Sequence, residues 1–323
     1  MSDRSDFVDD FIAGSAWADW QRHPLAGDAS SRRYERLSSG SQSVILMDAP
    51  DDAPKGIRRF ADMVAVLEQQ GLFPPSVLAH STDTGIMVLS DLGPLHFAAW
   101  LVKRPADEHD LYSAAIDVLA RLHEVRAPEL LSRITPDVAA QMVEISGTYY
   151  AECDVSDLAG EMKLAMATYA PVAETLALRD FHAENLIWRP SEKGMKRVGL
   201  LDFQDAFIAP AGYDLISLLR DARRDVPPEI VEMMITRFIE QTGSGPEMRA
   251  QLACLGAQRN LRILGVFGRL AREMGKRSYV DLLPRVWYNL MCDLDHPALA
   301  NLRQATLETL PPPTDDLLHR LRQ

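Results

Sequence analysis

The residues able to do chemistry lie in one stretch, LALRDFHAENLIWRP, followed after a short gap by VGLLDFQDA. Four residues separate Asp180 from Asn185, Asn185 opens a strand-like run, and Asp202 closes the next one. Phosphoryl transfer needs a carboxylate beside the acceptor hydroxyl, together with oxygen ligands for the magnesium that bridges the nucleotide phosphates. Asp-x4-Asn alone arises by chance in many proteins. Joined to paired strands and an Asp-Phe dipeptide, it places three suitable side chains at one hairpin end. His182 reads as a structural donor in the loop, and Asp205 as a turn carboxylate or a substrate contact.

The elements that must hold these residues follow from periodicity. Asn185–Trp188 and Val198–Leu201 form a hairpin around the polar turn 191–196. Ahead of it, residues 1–22 read as a helix, Tyr34–Leu37 and Val44–Met47 as strands, and Ile57–Gln70 as a helix with Phe60, Met63, Val64 and Leu67 on one face. Two more strands are expected at Ser76–His80 and Gly85–Ser90, closed by the turn Asp91-Leu92-Gly93-Pro94. Beyond that turn helical patterns dominate: 111–125, 135–151, 158–174, 211–224, 228–240, 246–274 and 279–294. The plan is α+β and two-lobed, a strand-rich part at 1–93 and a helical part at 94–323.

With these motifs in place, the chain resembles the aminoglycoside phosphotransferase and choline kinase group of protein-kinase-like enzymes along nearly its whole length. The resemblance rests on Leu119-Ala120-Arg121-Leu122-His123, Arg179-Asp180 through Asn185, Leu201-Asp202-Phe203 and Tyr213-Asp214. It implies an ATP- and Mg2+-dependent kinase, with Asp180 as catalytic base, Asn185 and Asp202 as metal ligands and 1–93 as nucleotide clamp. It further implies an adenine-binding hinge around Ser90 to Leu92, and an Asp214 that supports the catalytic loop by hydrogen bonding. Within the group, Asp28-Ala29-Ser30-Ser31-Arg32-Arg33-Tyr34, Met47-Asp48-Ala49-Pro50 and Asp202-Phe203-Gln204-Asp205-Ala206 look most like bacterial anomeric kinases of N-acetylmuramate and N-acetylglucosamine that serve cell-wall recycling.

Two departures from the kinase pattern stand out. A kinase carries a lysine on its third strand, held by a helix glutamate; here that place reads Met47-Asp48, and the next helix offers only Glu68. There is no full G-x-G-x-x-G either, only the small-residue turn Gly27 to Ser31, where Ser30 and Ser31 would let backbone N–H groups approach phosphate. Arg32 or Arg33 would supply the missing cation. The missing lysine suggests an inactive kinase-like binding protein as a rival, against which the intact Asp180, Asn185 and Asp202 argue; a kinase for an aminoglycoside or choline-type acceptor is the other rival. A protein acceptor is disfavoured, because no activation segment ending in Ala-Pro-Glu follows Asp202.

Charge bears on the acceptor. The 323 residues carry 34 Lys and Arg against 46 Asp and Glu, a net charge of −12, which argues against nucleic acid as a partner. Locally the sign reverses. From Gln258 to Tyr288, Arg259, Arg262, Arg269, Arg272, Lys276, Arg277 and Arg285 face only Glu273 and Asp281. At helical spacing Arg259, Arg262 and Arg269 fall within roughly 80° of one another, a face suited to a carboxylated amino sugar and hostile to a polycation. Asp205, Arg259 and Arg262 are therefore the candidate acceptor contacts. Three widely spaced cysteines suggest neither a disulfide framework nor zinc. The acidic N-terminus and the lack of a long apolar run predict a soluble cytoplasmic protein with no membrane partner.

Overall fold

The computed structural model describes residues 4–25, 32–125, 127–128 and 131–323. By compactness the chain divides into two units, Met1–Trp100 with Glu184–Gln204, and Leu101–Ala183 with Asp205–Gln323.

The first unit begins with α1 (Arg4–Ala13), β1 (Gln21–Leu25), β2 (Arg33–Ser39) and β3 (Gln42–Asp48). A 3-10 turn at Pro50–Asp52 leads into α2 (Lys55–Gln69), β4 (Val77–Ser81) and β5 (Ile86–Ser90). These strands form one antiparallel sheet of order β1-β2-β3-β5-β4. Directly opposed residues of such a sheet share a face. The register Arg33↔Asp48, Glu35↔Leu46 and Leu37↔Val44 thus sets Asp48 on the face where Val8 and Ile12 of α1 pack with Leu37, Val44, Leu46, Ile86 and Val88. Tyr34↔Met47 lies on the other face. The helix expected over 1–22 stops at Ala13, and the chain then enters β1. Pro24 hides that strand from a sequence reading, yet an edge strand tolerates proline because one side of its ladder is unpaired.

Helix α3 (Phe97–Lys103) straddles the boundary between the units, and the second continues with α4 (Glu108–His123), α5 (Pro136–Ser146), α6 (Ser156–Tyr169) and β6 (Thr175–Ala177). The expected hairpin is present as β7 (Leu186–Trp188) and β8 (Val198–Leu200), and by compactness it belongs to the first unit. After it come β9 (Phe207–Ala209), α7 (Tyr213–Leu219), α8 (Pro228–Thr242), α9 (Met248–Met274), α10 (Leu283–Leu294), α11 (Ala300–Thr309) and α12 (Asp315–Leu321). The core of the second unit gathers around α9, which is apolar or small over most of its length. A Cβ on Gly265 would fall 2.3 Å from the backbone carbon of Ile145, so glycine there lets α9 and the end of α5 approach backbone to backbone. The short pair β6–β9 was not expected; three residues per strand are too few to show a period of two.

Candidate functional site

Asp180 lies in the loop that follows β6 in the second unit. Two buried carboxylates hold this loop by its backbone. Asp214 of α7 accepts from the N–H groups of Leu178 at 2.5 Å and Arg179 at 3.0 Å, the supporting role the resemblance implied. Asp221, just past α7, accepts from the N–H of Ala183 and, at 2.8 Å, from that of Arg223. Burial pushes Asp214 up to about 7, opposed by the two N–H donors and Arg259 and reinforced by Asp180. Burial likewise raises Asp221. Arg179 adopts a left-handed φ of 78°, a costly backbone state for a residue with a Cβ. The clamp at both ends makes that geometry tenable. Asp221 escaped the sequence reading; its spacing of seven from Asp214 was the available signal, masked because α7 ends at Leu219.

His182 is buried in this loop. Burial, then Arg223 and Arg259, hold its pKa well below the usual value, so the ring is neutral. Arg223 Nη1 lies 3.4 Å from its Nε2, which accepts. A neutral, enclosed imidazole is a structural group, but its Nε2 accepts from Arg223 where the sequence reading expected a donor. Asp180 stands apart in exposure: its side chain is 40% accessible and Arg179 Nε is 3.9 Å from its carboxylate.

The basic face expected along 258–288 is split by the fold. Arg272 pairs with Glu152, Arg285 with Asp225 at 2.6 Å, and Arg269 is exposed beside Tyr149 and Glu273. Arg259 and Arg262 are different. Arg259 is only 7% exposed and Arg262 is half-buried, and neither has a hydrogen bond or ion pair among the described residues. Burial lowers the pKa of Arg262, with Tyr213 and Asp180 opposing and Arg179 and Arg259 adding to the fall. The charges of the two guanidinium groups are compensated at longer range: Arg259 acts on buried Asp214 and Asp221, and Asp180 acts on Arg262. Asp205 is exposed in the same unit.

Asn185 and Asp202 belong to the first unit, at one end of the β7–β8 hairpin. Asn185 Nδ2 donates to Asp202 Oδ2 at 3.4 Å, and Gln204 Nε2 to Asp202 Oδ1 at 2.6 Å. Asp202 has a left-handed φ of 57°, and the Phe203 ring meets that of Phe60 at 5.0 Å between centroids. No group of three or more His, Cys, Asp or Glu fit for a metal occurs among the described residues. One carboxylate and one amide oxygen still suit magnesium, which takes few protein oxygens and completes its shell with phosphates and water.

Of the expected nucleotide contacts, Ser30 and Ser31 lie outside the described residues. Arg32 is bound to Asp52 at 2.6 Å, while Arg33 is exposed on the opposite sheet face. Ser90 is committed to the sheet: its N–H donates to Ser76 O and its hydroxyl accepts from Ser76 N, both at 2.9 Å. Asp91 and Leu92 complete the segment expected as the hinge. Asp91 is fixed by Arg36 at 2.6 Å and by the Gly93 N–H at 2.8 Å, and Leu92 lies over Gly199, where a Cβ would come within 2.9 Å of it.

Residues 21–251 match the model of the phosphotransferase enzyme family. The chain belongs to that family. An N-acetylmuramate/N-acetylglucosamine kinase of Caulobacter vibrioides is 36% identical over 343 aligned positions, covering 91% of this chain and 93% of the relative. The kinase of the same name from Pseudomonas aeruginosa is 28% identical, covering 81% and 80%. In fold the chain is similar to a choline/ethanolamine kinase family protein from Mesorhizobium loti, with TM-score 0.63, 16% identity and coverage of 94% and 99%. It is also similar to a spectinomycin phosphotransferase solved with ADP and spectinomycin, with TM-score 0.61, 15% identity and coverage of 98% and 97%. The family and these folds make this chain a small-molecule kinase with a protein-kinase-like α+β architecture.

Proposed function

We propose that this phosphotransferase moves the γ-phosphate of ATP, with magnesium, to the anomeric hydroxyl of N-acetylmuramate or N-acetylglucosamine in the cytoplasm. The observation that carries the acceptor is the 36% identity to the Caulobacter kinase along 91% of this chain. Arg259 and Arg262, whose guanidinium groups hydrogen-bond no carboxylate among the described residues, support N-acetylmuramate, since its carboxylate can take such a bond and a cationic aminoglycoside cannot.

In this reading residues 1–93 clamp the nucleotide and residues 94–323 hold the acceptor. Asp180 takes the proton of the attacking hydroxyl as its oxygen bonds to the γ-phosphorus and ADP leaves with the bridging oxygen. Asn185 and Asp202 would hold magnesium, which when bound neutralises the phosphate charge. Asp205 and Arg262 meet the acceptor; Arg259, deeper, adds positive potential between Asp214 and Asp221. Phosphate release to N-acetylmuramate, N-acetylglucosamine, choline and kanamycin from labelled ATP tests the assignment. Transfer to either sugar is expected. Transfer to kanamycin or choline but to neither sugar would overturn it.

A further inference from the structure

The strand position that carries a phosphate-gripping lysine in kinases is closed to any cation here. Met47 is 1% exposed and fills its face of β3. Asp48 turns to the other face, where Arg4 of α1 donates to it through Nε at 2.8 Å. Glu68, the one glutamate of α2, accepts instead from the Ser76 hydroxyl at 2.6 Å. Both halves of the usual Lys–Glu pair are therefore replaced or diverted.

A second ion pair stands on the Met47 side. Arg32 Nε donates to Asp52 Oδ2 at 2.6 Å, and the same guanidinium hydrogen-bonds the Tyr34 hydroxyl. Tyr34 is the register partner of Met47, and both Asp202 and Asp52 act electrostatically on it. Asp52 is locked from behind: a Cβ on Gly56, in the first turn of α2, would fall 2.7 Å from Asp52 Cβ, so glycine at that position lets the helix close on the aspartate. The guanidinium side chain retains 13% of its accessible surface. Arg33 points to the α1 face with Asp48.

The geometry points to Arg32, anchored by Asp52 and Tyr34, as the cation that grips the nucleotide phosphates, an Arg–Asp pair just ahead of β2 and in the 3-10 turn after β3 doing the work of the Lys–Glu pair. It rests on the kinase reading above. Arginine suits the role because its fork can hold a carboxylate with one edge and a phosphate with another.

Calorimetric titration with ADP and with adenosine tests it without turnover. Arg32→Ala should weaken ADP binding by roughly ten- to hundredfold, the range for a hydrogen bond to a charged group, and leave adenosine binding and the melting temperature close to wild type. Arg33→Ala and Lys55→Ala should bind ADP as wild type does. Asp52→Asn should cost less than Arg32→Ala and nothing further in the Arg32→Ala background, which a separate structural role for Asp52 would not produce. Wild-type ADP affinity in Arg32→Ala, an equal loss for adenosine, or a loss that follows Arg33 or Lys55 overturns the assignment. A wild-type chain that binds no ADP overturns the kinase reading itself.

Discussion

Asp180 keeps 40% of its side-chain surface accessible while its loop is held through the backbone by Asp214 and Asp221, so its replacement can be read without collapse of its surroundings. Asp180→Asn keeps the shape but cannot accept a proton at neutral pH. Turnover should drop by roughly 10²–10⁴ while ADP titrates as in wild type; a variant retaining most of its turnover would remove Asp180 from the base role. Asp202→Ala should abolish the gain in ADP affinity that magnesium brings, because it removes the site's one carboxylate; a variant that responds to magnesium like wild type would refute the ligand assignment. Arg262→Gln separates the two sugars. Losing the cation should raise the KM for N-acetylmuramate roughly tenfold or more and barely move that for N-acetylglucosamine, which has no carboxylate. Equal effects on both would make Arg262 a loop-positioning residue.

Helix α7 contributes through one side chain. Asp214 titrates near pH 7 against an ordinary 3.8, raised first by burial, and buried Asp293 is likewise raised to about 6. A folded-state pKa above the unfolded one gives stability that is full below the unfolded value and is lost as pH rises through the folded one. The melting temperature should accordingly fall between about pH 4 and pH 7, and Asp214→Asn should flatten that slope; an unchanged slope would show that Asp214 is ionised throughout. The same helix shows how far a sequence carries. Tyr213-Asp214 and the 3.6-residue period made α7 and the Asp214 support legible. Asp221 was not: the helical pattern runs on to 224, whereas α7 stops at Leu219 and Asp221 acts from the turn beyond it. Likewise Asp180, Asn185 and Asp202 could be read from local spacing, whereas the Arg32–Asp52 pair spans 20 residues and two element types. The basic face of α9 was half legible: the arginines share a helix, but whether each meets a carboxylate depends on partners such as Glu152 and Asp225 that no pattern in α9 reveals.

Across the whole molecule, a net charge of −12 surrounds a few buried cations, so anion binding must rely on local sites and not on the overall field. The family match, residues 21–251, is narrower than the folded chain, which has helices on both sides of it. Cutting at residue 21 would remove α1 and with it Arg4, leaving Asp48 as a buried carboxylate without its cation and baring Leu37, Val44, Leu46, Ile86 and Val88. Cutting at 251 would sever α9 in its first turn and discard Arg259 and Arg262. A chain trimmed to the family boundaries should accumulate as insoluble aggregate and show no cooperative thermal transition; a soluble fragment that melts sharply would contradict this. On that expectation the stretch of sequence that advertises the family is shorter than the stretch that folds, and anyone borrowing this catalyst as a module for fusion or display should carry both flanks along with it.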